Sequence, residues 1–393
     1  MGELFRLVNK TQHYAWGSHE TLAHMRGLSG PSDQPEAEVW VGAHPSAPSE
    51  IDIDGHKMGL DRVVENTPDR ILPQGVKNFP FLFKILAIDA PLSIQVHPTD
   101  AQAESGFDRE NQEGIALDDS SRNYKDRHSK PETVIALTPM KILTGVRSDH
   151  EIQEIATAFG LSWLADLLPV NSGKELLAKI IRLSEGDAAV ALEETLDGVR
   201  TWAKTHTGGP CTLERAAELV EHIEEKCPGD RGLLVAVVMN LLYLEPGDSA
   251  FTPDGQVHAY VSGTAIEIMN PSDNVLRAGL TPKHIDTQEL IEVLRDDQCA
   301  PEVLRANPDD AVVGKFSLWD ERLSLIRIRV PASQAVDFTF EGTSTLLSVA
   351  GDLTVESEQQ SFTVYPTESL LHSGSDTATT IRGLGEAYVA TYV

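Results

Sequence analysis

Three patterns of hydrophobic and polar positions follow one another along the chain. From Phe5 to about Arg147, short apolar runs such as Phe79–Ile88 and Leu92–Val96 are separated by Gly and Pro, which is typical of β-strands bounded by turns. Between Ser148 and Cys227, apolar residues recur at steps of three and four while Glu and Lys fill the other positions. This spacing predicts several amphipathic helices, an inserted bundle between β-rich segments.

The β-pattern returns after the helical block. It predicts a strand over Leu233–Leu244, further short strands between Gly-containing turns, and one helix over Thr287–Arg295. From about Lys315 to Val393, alternation of apolar and polar residues predicts an antiparallel β-domain. The pattern alone leaves open whether the helical block is a separate domain or an excursion from a single β-domain.

Composition and charge narrow the classes of partner. The 393 residues favour two or three domains, and 41% hydrophobic residues are typical of a globular protein. The 60 acidic and 32 basic residues give a formal net charge of −28, which repels phosphate backbones and anionic lipid surfaces. We therefore expect neither nucleic acid nor a membrane as a partner. An anionic substrate would need a local group of Lys and Arg.

The cysteines and the N-terminus indicate a cytoplasmic location. Cys211, Cys227 and Cys299 are odd in number and lack metal-binding spacing, so we expect free thiols in a reducing compartment. Met1–Lys10 contains no apolar signal core. The longest apolar run, Leu233–Leu244, is shorter than the about 20 residues that a membrane span requires.

The segment from Pro91 to Pro98 combines two faces of different chemistry. If it is extended, Ser93, Gln95 and His97 project from one face and two branched apolar side chains from the other. Such a strand suits the wall of a polar pocket. A half-exposed strand with polar residues facing water explains the same spacing.

Two further segments carry residues that bind metals. Pro131 favours extended geometry at Lys130, so Glu132 is expected near the start of a strand, where it can act as a hard oxygen ligand. Farther along, His258 and Tyr260 share one face of another predicted strand. A lone His is more often structural, but two His and one Glu on strands with turn-rich borders favour a metal site.

A pair of cations lies close to these segments in sequence. Arg277 and Lys283 flank a stretch that contains Gly279 and Pro282, in a region predicted to be irregular. Arg binds phosphate through a bidentate fork and Lys as a point charge. In a chain this acidic the pair is a candidate anion site, although solvated surface charge is the alternative.

Seven blocks of the chain resemble one enzyme family, the type I mannose-6-phosphate isomerases (phosphomannose isomerases) of the cupin superfamily. The blocks occur in family order from Tyr14 to Lys283, a stretch of about seven tenths of the chain. They are Tyr14–Ser18, Ala37–Ser46, Phe81–Leu86, Leu92–Pro98, His128–Glu132, Val257–Tyr260 and Glu267–Lys283.

The resemblance implies a mainly β fold with a helical insertion. A cupin jelly-roll catalytic domain would be formed by residues 1–147 and 229–314, interrupted by a helical domain at 148–228. Residues 315–393 would form a C-terminal cupin-like β-domain without a metal site. The resemblance also implies one Zn²⁺ per chain, bound by Gln95, His97, Glu132 and His258.

The activity implied by the resemblance is reversible interconversion of mannose 6-phosphate and fructose 6-phosphate, a zinc-assisted proton transfer through an enediol(ate). The catalytic candidates are Arg277 for charge stabilisation and Lys130 or Glu267 as the base. The candidates for substrate binding are Ser93, Lys84 and Lys283 at the phosphate, with Trp16 and Tyr260 as pocket walls. The expected partner is a small sugar phosphate, and the expected state is a monomer or a weak homo-oligomer.

Two alternatives belong to other functional classes. A cupin metal-dependent oxygenase would use a facial set of His and carboxylate ligands, and the Gln ligand argues against it. A non-catalytic sugar-binding cupin would have lost a ligand or Arg277, and neither is lost. The pathway served, sugar breakdown or GDP-mannose biosynthesis, stays open.

Overall fold

The computed structural model describes residues 2–206, 211–305 and 312–393. These residues form 21 strands, ten α-helices and one 3-10 helix at Pro68–Arg70. The strands are β1 (Glu3–Val8), β2 (Lys10–Gln12), β3 (Glu38–Val41), β4 (Glu50–Ile53), β5 (His56–Gly59), β6 (Leu82–Ile88), β7 (Ile94–Val96), β8 (Glu132–Ala136), β9 (Met140–Val146), β10 (Met239–Leu244), β11 (Asp248–Thr252), β12 (His258–Met269), β13 (Leu276–Gly279), β14 (Leu304–Arg305), β15 (Val313–Phe316), β16 (Leu323–Val330), β17 (Val336–Phe340), β18 (Thr343–Glu356), β19 (Ser361–Val364), β20 (Ser369–Ser373) and β21 (Thr377–Tyr392). The helices are α1 (Thr21–Met25), α2 (Leu60–Asn66), α3 (Asp100–Gln112), α4 (Asp149–Phe159), α5 (Ser162–Ala165), α6 (Gly173–Ile181), α7 (Glu185–Thr205), α8 (Cys211–Lys226), α9 (Gly232–Val238) and α10 (Thr287–Val293).

The described strands form two sheets. In one, the strand order β14-β11-β8-β12-β6-β3-β2 is extended by β7, β9, β10 and β13. In the other, the order β15-β16-β21-β18-β20-β1-β4-β5 is extended by β17 and β19. All pairings are antiparallel, so the predicted antiparallel character of the C-terminal region is confirmed.

Strand β12 has different partner strands on the two sides of Gly263. Its first residues pair with β9 and, at His258, with β7, whereas Gly263–Met269 pair with β6 and β8. Gly263 has a φ of +116°, and a Cβ there would lie 2.9 Å from the Cα of Met140. Only glycine fits this position, and the same strand carries both His258 and Glu267.

The helical block packs on the back of the first sheet. Its largest core cluster joins residues of α4 and α6–α9 to Ile94, Val96 and Leu143 of strands β7 and β9. The outward faces of these strands are thus buried by helices, which leaves their opposite faces for a cavity. Several helices were predicted in this block, and they are present.

One boundary of the helical block was predicted wrongly. Residues 233–238 were expected to begin a strand, but they belong to α9, and only β10 is extended. Every residue of α9 is buried. In a run that is apolar on all sides, hydrophobic periodicity does not distinguish a buried helix from a buried strand.

The N-terminal segment contributes to both sheets. Strand β1 pairs with β20 and β4, and β4 pairs with β5, so these three strands complete the second sheet. The predicted division placed all of residues 1–147 in the catalytic domain. The second sheet thus includes strands from the start of the chain, while the division into domains stays a prediction.

Candidate metal centre and active site

Three buried side chains meet where strands β7, β8 and β12 come together. The Nε2 of His97 lies 3.4 Å from one carboxylate oxygen of Glu132, and the Nε2 of His258 lies 3.3 Å from the other. One donor atom of each residue lies within 4.8 Å of those of the other two. Each side chain is at most 2% exposed. Pro131 precedes β8, so Glu132 stands at the start of its strand as predicted.

The backbone sets the orientation of both imidazoles. The Nδ1–H of His97 donates to the carbonyl oxygen of Asn274 at 2.7 Å, and the Nδ1–H of His258 donates to that of Gln256 at 3.0 Å. Each ring is therefore held in the tautomer whose Nε2 carries a lone pair. Neither Nε2 has a hydrogen-bond partner among the described residues. Two buried lone pairs directed at a carboxylate are the arrangement that a bound cation satisfies.

The protonation states also suit a metal. Burial, together with the nearby charge of Lys130, lowers the pKa of His97 to about 4, so the ring is neutral at pH 7. Burial alone would raise the pKa of Glu132, but Lys130 and His97 hold it well below its usual value. Neutral imidazoles and an ionised carboxylate are the forms that bind zinc. The residues present therefore fit the predicted ion.

Gln95 lies beside this cluster. Its Cα pairs with that of His258 on β12 and with that of Arg277 on β13. Residues that face each other on paired strands project their side chains from the same face. The strand that carries Gln95 is Ile94–Val96, shorter than the predicted Ser93–His97. Irregular chain lies on both sides of it, and Pro98 follows two residues after its end.

Glu132 of this cluster lines a cavity of about 520 Å³, a volume typical of small-molecule sites. Ten of the twelve residues predicted for the site line this cavity. They are Trp16, Lys84, Ser93, Gln95, Lys130, Glu132, Tyr260, Glu267, Arg277 and Lys283. The other two, His97 and His258, are buried behind the cavity surface, where they contact Glu132.

A charged network forms one wall. The Nζ of Lys84 donates to Glu267 at 3.0 Å and lies 3.6 Å from a carboxylate oxygen of Glu38. Burial alone would lower the pKa of Lys84, but Glu267 and Glu38 raise it above its usual value. Burial raises the pKa of Glu267, although Lys84 opposes that shift. The indole N–H of Trp40 donates to Glu38, so the wall is held in place.

Two cations also line the cavity, Arg277 and Lys283. Arg277 lies on β13, which the sequence had suggested would be irregular, and Lys283 follows in the next loop. Burial lowers the pKa of both residues, and the charge of Arg277 lowers that of Lys283 further. Among the described residues, neither makes an ion pair with a carboxylate. In a chain of net charge −28, two unneutralised cations at one pocket indicate a site for an anionic group.

Comparison with known proteins places this architecture in a family. Residues 4–149 match the family "Phosphomannose isomerase type I, catalytic domain". The mannose-6-phosphate isomerase of Escherichia coli K12 is 32% identical over 404 residues, with 97% of each chain covered. That of Salmonella typhimurium is 33% identical, again with 97% of each chain covered. The chain belongs to the mannose-6-phosphate isomerase family.

Solved structures of the family agree over the whole length. The Salmonella typhimurium mannose 6-phosphate isomerase bound to its substrate and to zinc has a TM-score of 0.86 and 30% identity, covering 99% of both chains. A zinc-bound mannose 6-phosphate isomerase also has a TM-score of 0.86, with the same identity and coverage. The predicted fold class, mainly β on a cupin-type architecture with a helical insertion, is confirmed.

Several cavity residues were not predicted from the sequence. Glu38 and Trp40 were part of a block that resembles the family, but no role was assigned to them. Asp273 lies 3.4 Å from His44, and Lys226 reaches the cavity from the end of α8. Charged residues are frequent on protein surfaces, so the sequence gives no signal that Asp273 or Lys226 belongs to a site. Only the fold brings these two residues to the cavity.

Two further expectations concern the cysteines and membrane-spanning helices. Cys227 and Cys299 are free thiols, and the side chain of Cys211 lies outside the described residues. In the described part of the chain, no helix combines the length and the apolar character needed to span a bilayer.

Proposed function

We propose that this protein is a zinc-dependent aldose-ketose isomerase that interconverts mannose 6-phosphate and fructose 6-phosphate. One observation supports the proposal most strongly: Glu132 of the buried His97–Glu132–His258 cluster lines the same cavity as Arg277 and Lys283, two cations without acidic partners among the described residues. A metal site and an anion site in one cavity match a sugar phosphate. Membership of the family supports the same substrate.

His97, Glu132 and His258 would hold the zinc ion, with Gln95 as a fourth ligand. Imidazole and carboxylate donors are common zinc ligands, and an amide is rarer. A neutral amide in place of a second carboxylate leaves more positive charge at the site. When bound, zinc acts as a Lewis acid on the oxygens of the open-chain sugar.

We assign the proton transfer between C1 and C2 to Glu267. Its carboxylate is buried in the cavity wall, and its raised pKa brings it closer to the working pH, which favours a general base. Lys84 already donates to this carboxylate at 3.0 Å. We therefore assign Lys84 to the orientation of Glu267, and not to the phosphate as the resemblance implied.

Lys130 is the second candidate for proton transfer. Its Nζ lies 3.1 Å from Glu132, and it is 8% exposed at the cavity surface. This contact ties Lys130 to a predicted metal ligand, so we assign it to the stabilisation of negative charge near the metal. Tyr260 and Trp16 would form the walls, since Tyr260 is buried and Trp16 stacks on Tyr14.

Arg277 and Lys283 would interact with the negatively charged groups of the substrate and of the enediolate. Arg277, opposite Gln95, is placed to stabilise the enediolate as charge develops on the sugar oxygens. Lys283, farther along the cavity, would bind the phosphate together with the hydroxyl of Ser93.

A coupled assay tests this proposal directly. Purified protein is given mannose 6-phosphate, and fructose 6-phosphate formation is followed, with unphosphorylated mannose as the matched substrate. We expect turnover of the phosphorylated sugar at a much higher kcat/KM. Binding of mannose 6-phosphate without turnover would support a sugar-binding cupin instead, and oxygen consumption in the presence of Fe²⁺ would support an oxygenase.

The location of the enzyme, its oligomeric state and its pathway are also proposals. The net charge of −28 and the free thiols Cys227 and Cys299 support a cytoplasmic enzyme that acts on a small molecule. We expect a monomer or a weak homo-oligomer. Supply of mannose 6-phosphate for GDP-mannose biosynthesis stays a prediction, because the reaction runs in both directions.

A further inference from the structure

The loop after β13 is held by a single carboxylate from another part of the chain. Asp230 lies between α8 and α9, and its Oδ1 accepts the backbone N–H of Leu280 at 3.0 Å. Its Oδ2 accepts the backbone N–H of Thr281, also at 3.0 Å. Oδ1 additionally accepts the N–H of Gly232 at 2.7 Å, which fixes the carboxylate itself. Two consecutive amides of the loop between Arg277 and Lys283 thus end on one side chain.

The backbone of this loop has a conformation that it would not adopt unaided. Leu280 has a φ of +55°, in the left-handed region that a side chain with a Cβ disfavours. Such a conformation persists only where the surroundings impose it, and it is common at binding sites. The hydrogen bond from the Leu280 amide to Asp230 is one of those constraints.

The two segments also touch backbone to backbone. A Cβ at Gly232 would lie 2.5 Å from the Leu280 nitrogen and 2.8 Å from the carbonyl carbon of Gly279. Gly279 has a φ of +145°, and a Cβ there would collide with Gly232. The helical block therefore determines where the loop lies, through this contact and through Asp230.

The held loop carries the cationic end of the cavity. The backbone N–H of Lys283 donates to the Thr281 hydroxyl at 3.2 Å, so the position of Thr281 sets the direction in which Lys283 leaves the loop. Leu280, Thr281 and Lys283 all line the cavity. Arg277 and Lys283 carry like charges in one cavity, and a loop without an anchor would let them separate.

We propose that Asp230 is a positioning residue for the substrate phosphate, because it holds the backbone from Leu280 to Lys283 in the conformation that presents Lys283 beside Arg277. The inference rests on the proposed function, in which these two cations serve an anionic substrate. Asp230 itself does not touch the substrate. It acts through the loop, so its loss should affect binding more than chemistry.

The test compares Asp230→Ala and Asp230→Asn with the full-length wild type. For Asp230→Ala we expect about a tenfold rise in the KM for mannose 6-phosphate and in the Ki of inorganic phosphate, with kcat within about threefold and zinc content unchanged. Asp230→Asn keeps the acceptor for Leu280 but places an N–H₂ donor against the Thr281 amide. We expect a smaller rise in KM for this variant, a graded rescue that follows the hydrogen bonds.

Two further variants separate the possible outcomes. Asp119→Ala is the matched control, because Asp119 also accepts a backbone amide, that of Ser121 at 2.8 Å, but on an exposed turn outside the cavity. We expect its KM to stay unchanged. Lys283→Ala should raise the KM for mannose 6-phosphate and the Ki of inorganic phosphate. If it does so while both Asp230 variants leave these two values unchanged, the positioning role of Asp230 is refuted. The proposed function would still stand in that case.

Other outcomes also count against the inference. A fall in kcat or in the melting temperature of the Asp230 variants at constant KM would make Asp230 a structural residue only. If Lys283→Ala leaves the phosphate Ki unchanged, the loop does not bind phosphate and the inference is overturned. A wild-type protein that does not isomerise mannose 6-phosphate would refute the proposed function itself.

Discussion

Lys84 and Glu267 face each other on the paired strands β6 and β12, and the Lys84 Nζ donates to the Glu267 carboxylate at 3.0 Å. Both side chains are buried, and Lys84 also lies over the ring of Trp40, 5.1 Å from its centroid. A buried carboxylate that keeps one cation partner can stay ionised while its proton affinity is raised. If Glu267 is the base of the proposed reaction, its contact with Lys84 should influence the pH dependence of kcat/KM, which can be measured.

The acid limb of the pH–rate profile should report Glu267. Because a base acts in its ionised form and burial raises the pKa of Glu267, kcat/KM should fall as the pH decreases through a value above the usual carboxylate range. Glu267→Gln should lower kcat by about 10²- to 10³-fold at every pH. Lys84→Met removes the opposing charge, so the limb should move to higher pH. A profile that is unchanged in both variants would transfer the role of base to another residue.

Loss of one imidazole should remove metal and activity together. His258→Ala deletes a ligand whose Nε2 has no hydrogen-bond partner in the described part of the chain, so we expect the zinc content to fall from one ion per chain towards zero and turnover to be lost. Metal analysis of the same samples that are assayed gives both values. His150→Ala, on the exposed start of α4, is the matched control. A zinc-free His258→Ala protein with full activity would disprove the ligand assignment.

Arg277 should matter for chemistry more than for the metal. Its side chain extends from β13 beside Gln95 and has no carboxylate partner among the described residues. We expect Arg277→Ala to keep its zinc and to lose about 10²-fold in kcat, the loss typical when one stabilising group is removed from a developing oxyanion. Steady-state kinetics with metal analysis checks this. An unchanged kcat with a raised KM would make Arg277 a phosphate ligand instead.

Stability should depend on pH through Asp254, outside the catalytic cavity. Burial and the charge of Asp100 raise the pKa of Asp254 from 3.8 to about 6. A raised carboxyl pKa means that the stability gained from protonation is present below the unfolded value and is lost as the pH rises through about 6. At pH 8, Asp254→Asn should raise the free energy of unfolding by about 1 kcal/mol, allowing for the partial exposure of the group.

Denaturant unfolding at pH 8 and pH 4 measures this effect. The stabilisation by Asp254→Asn should disappear at pH 4, where the wild-type carboxyl group is protonated. The exposed Asp33→Asn should change neither value. A destabilised Asp254→Asn protein at pH 8 would show that the carboxylate has a favourable partner in solution.

Local sequence patterns placed some of the candidate site residues on their strands but did not give every element boundary. The alternation of Gln95 and His97 with two apolar residues, and the placement of Glu132 after Pro131, follow from local backbone geometry, which a sequence pattern reports directly. Only the resemblance to the family predicted that these segments meet His258 in the fold. Strand periodicity alone could not have brought together residues more than 100 positions apart.

Features that depend on tertiary contacts were missed. Residues 233–238 are helical because the first sheet and the helical block bury them on all sides, and an apolar run does not reveal this. Strand β1 joins the C-terminal sheet across most of the chain length. Asp230 has no sequence feature that marks it, because its amide partners at Leu280 and Thr281 are brought to it only by the approach of Gly232 to Gly279.

A zinc titration of the metal-stripped protein tests the central claim most directly. The wild-type protein is treated with a chelator and dialysed, its fold is checked by circular dichroism, and zinc is returned in measured amounts while bound metal and fructose 6-phosphate formation are recorded together. The account predicts negligible turnover without metal and a linear recovery that is complete at one zinc ion per chain. Full turnover in the folded, metal-free protein, or no recovery at one bound equivalent, would contradict it.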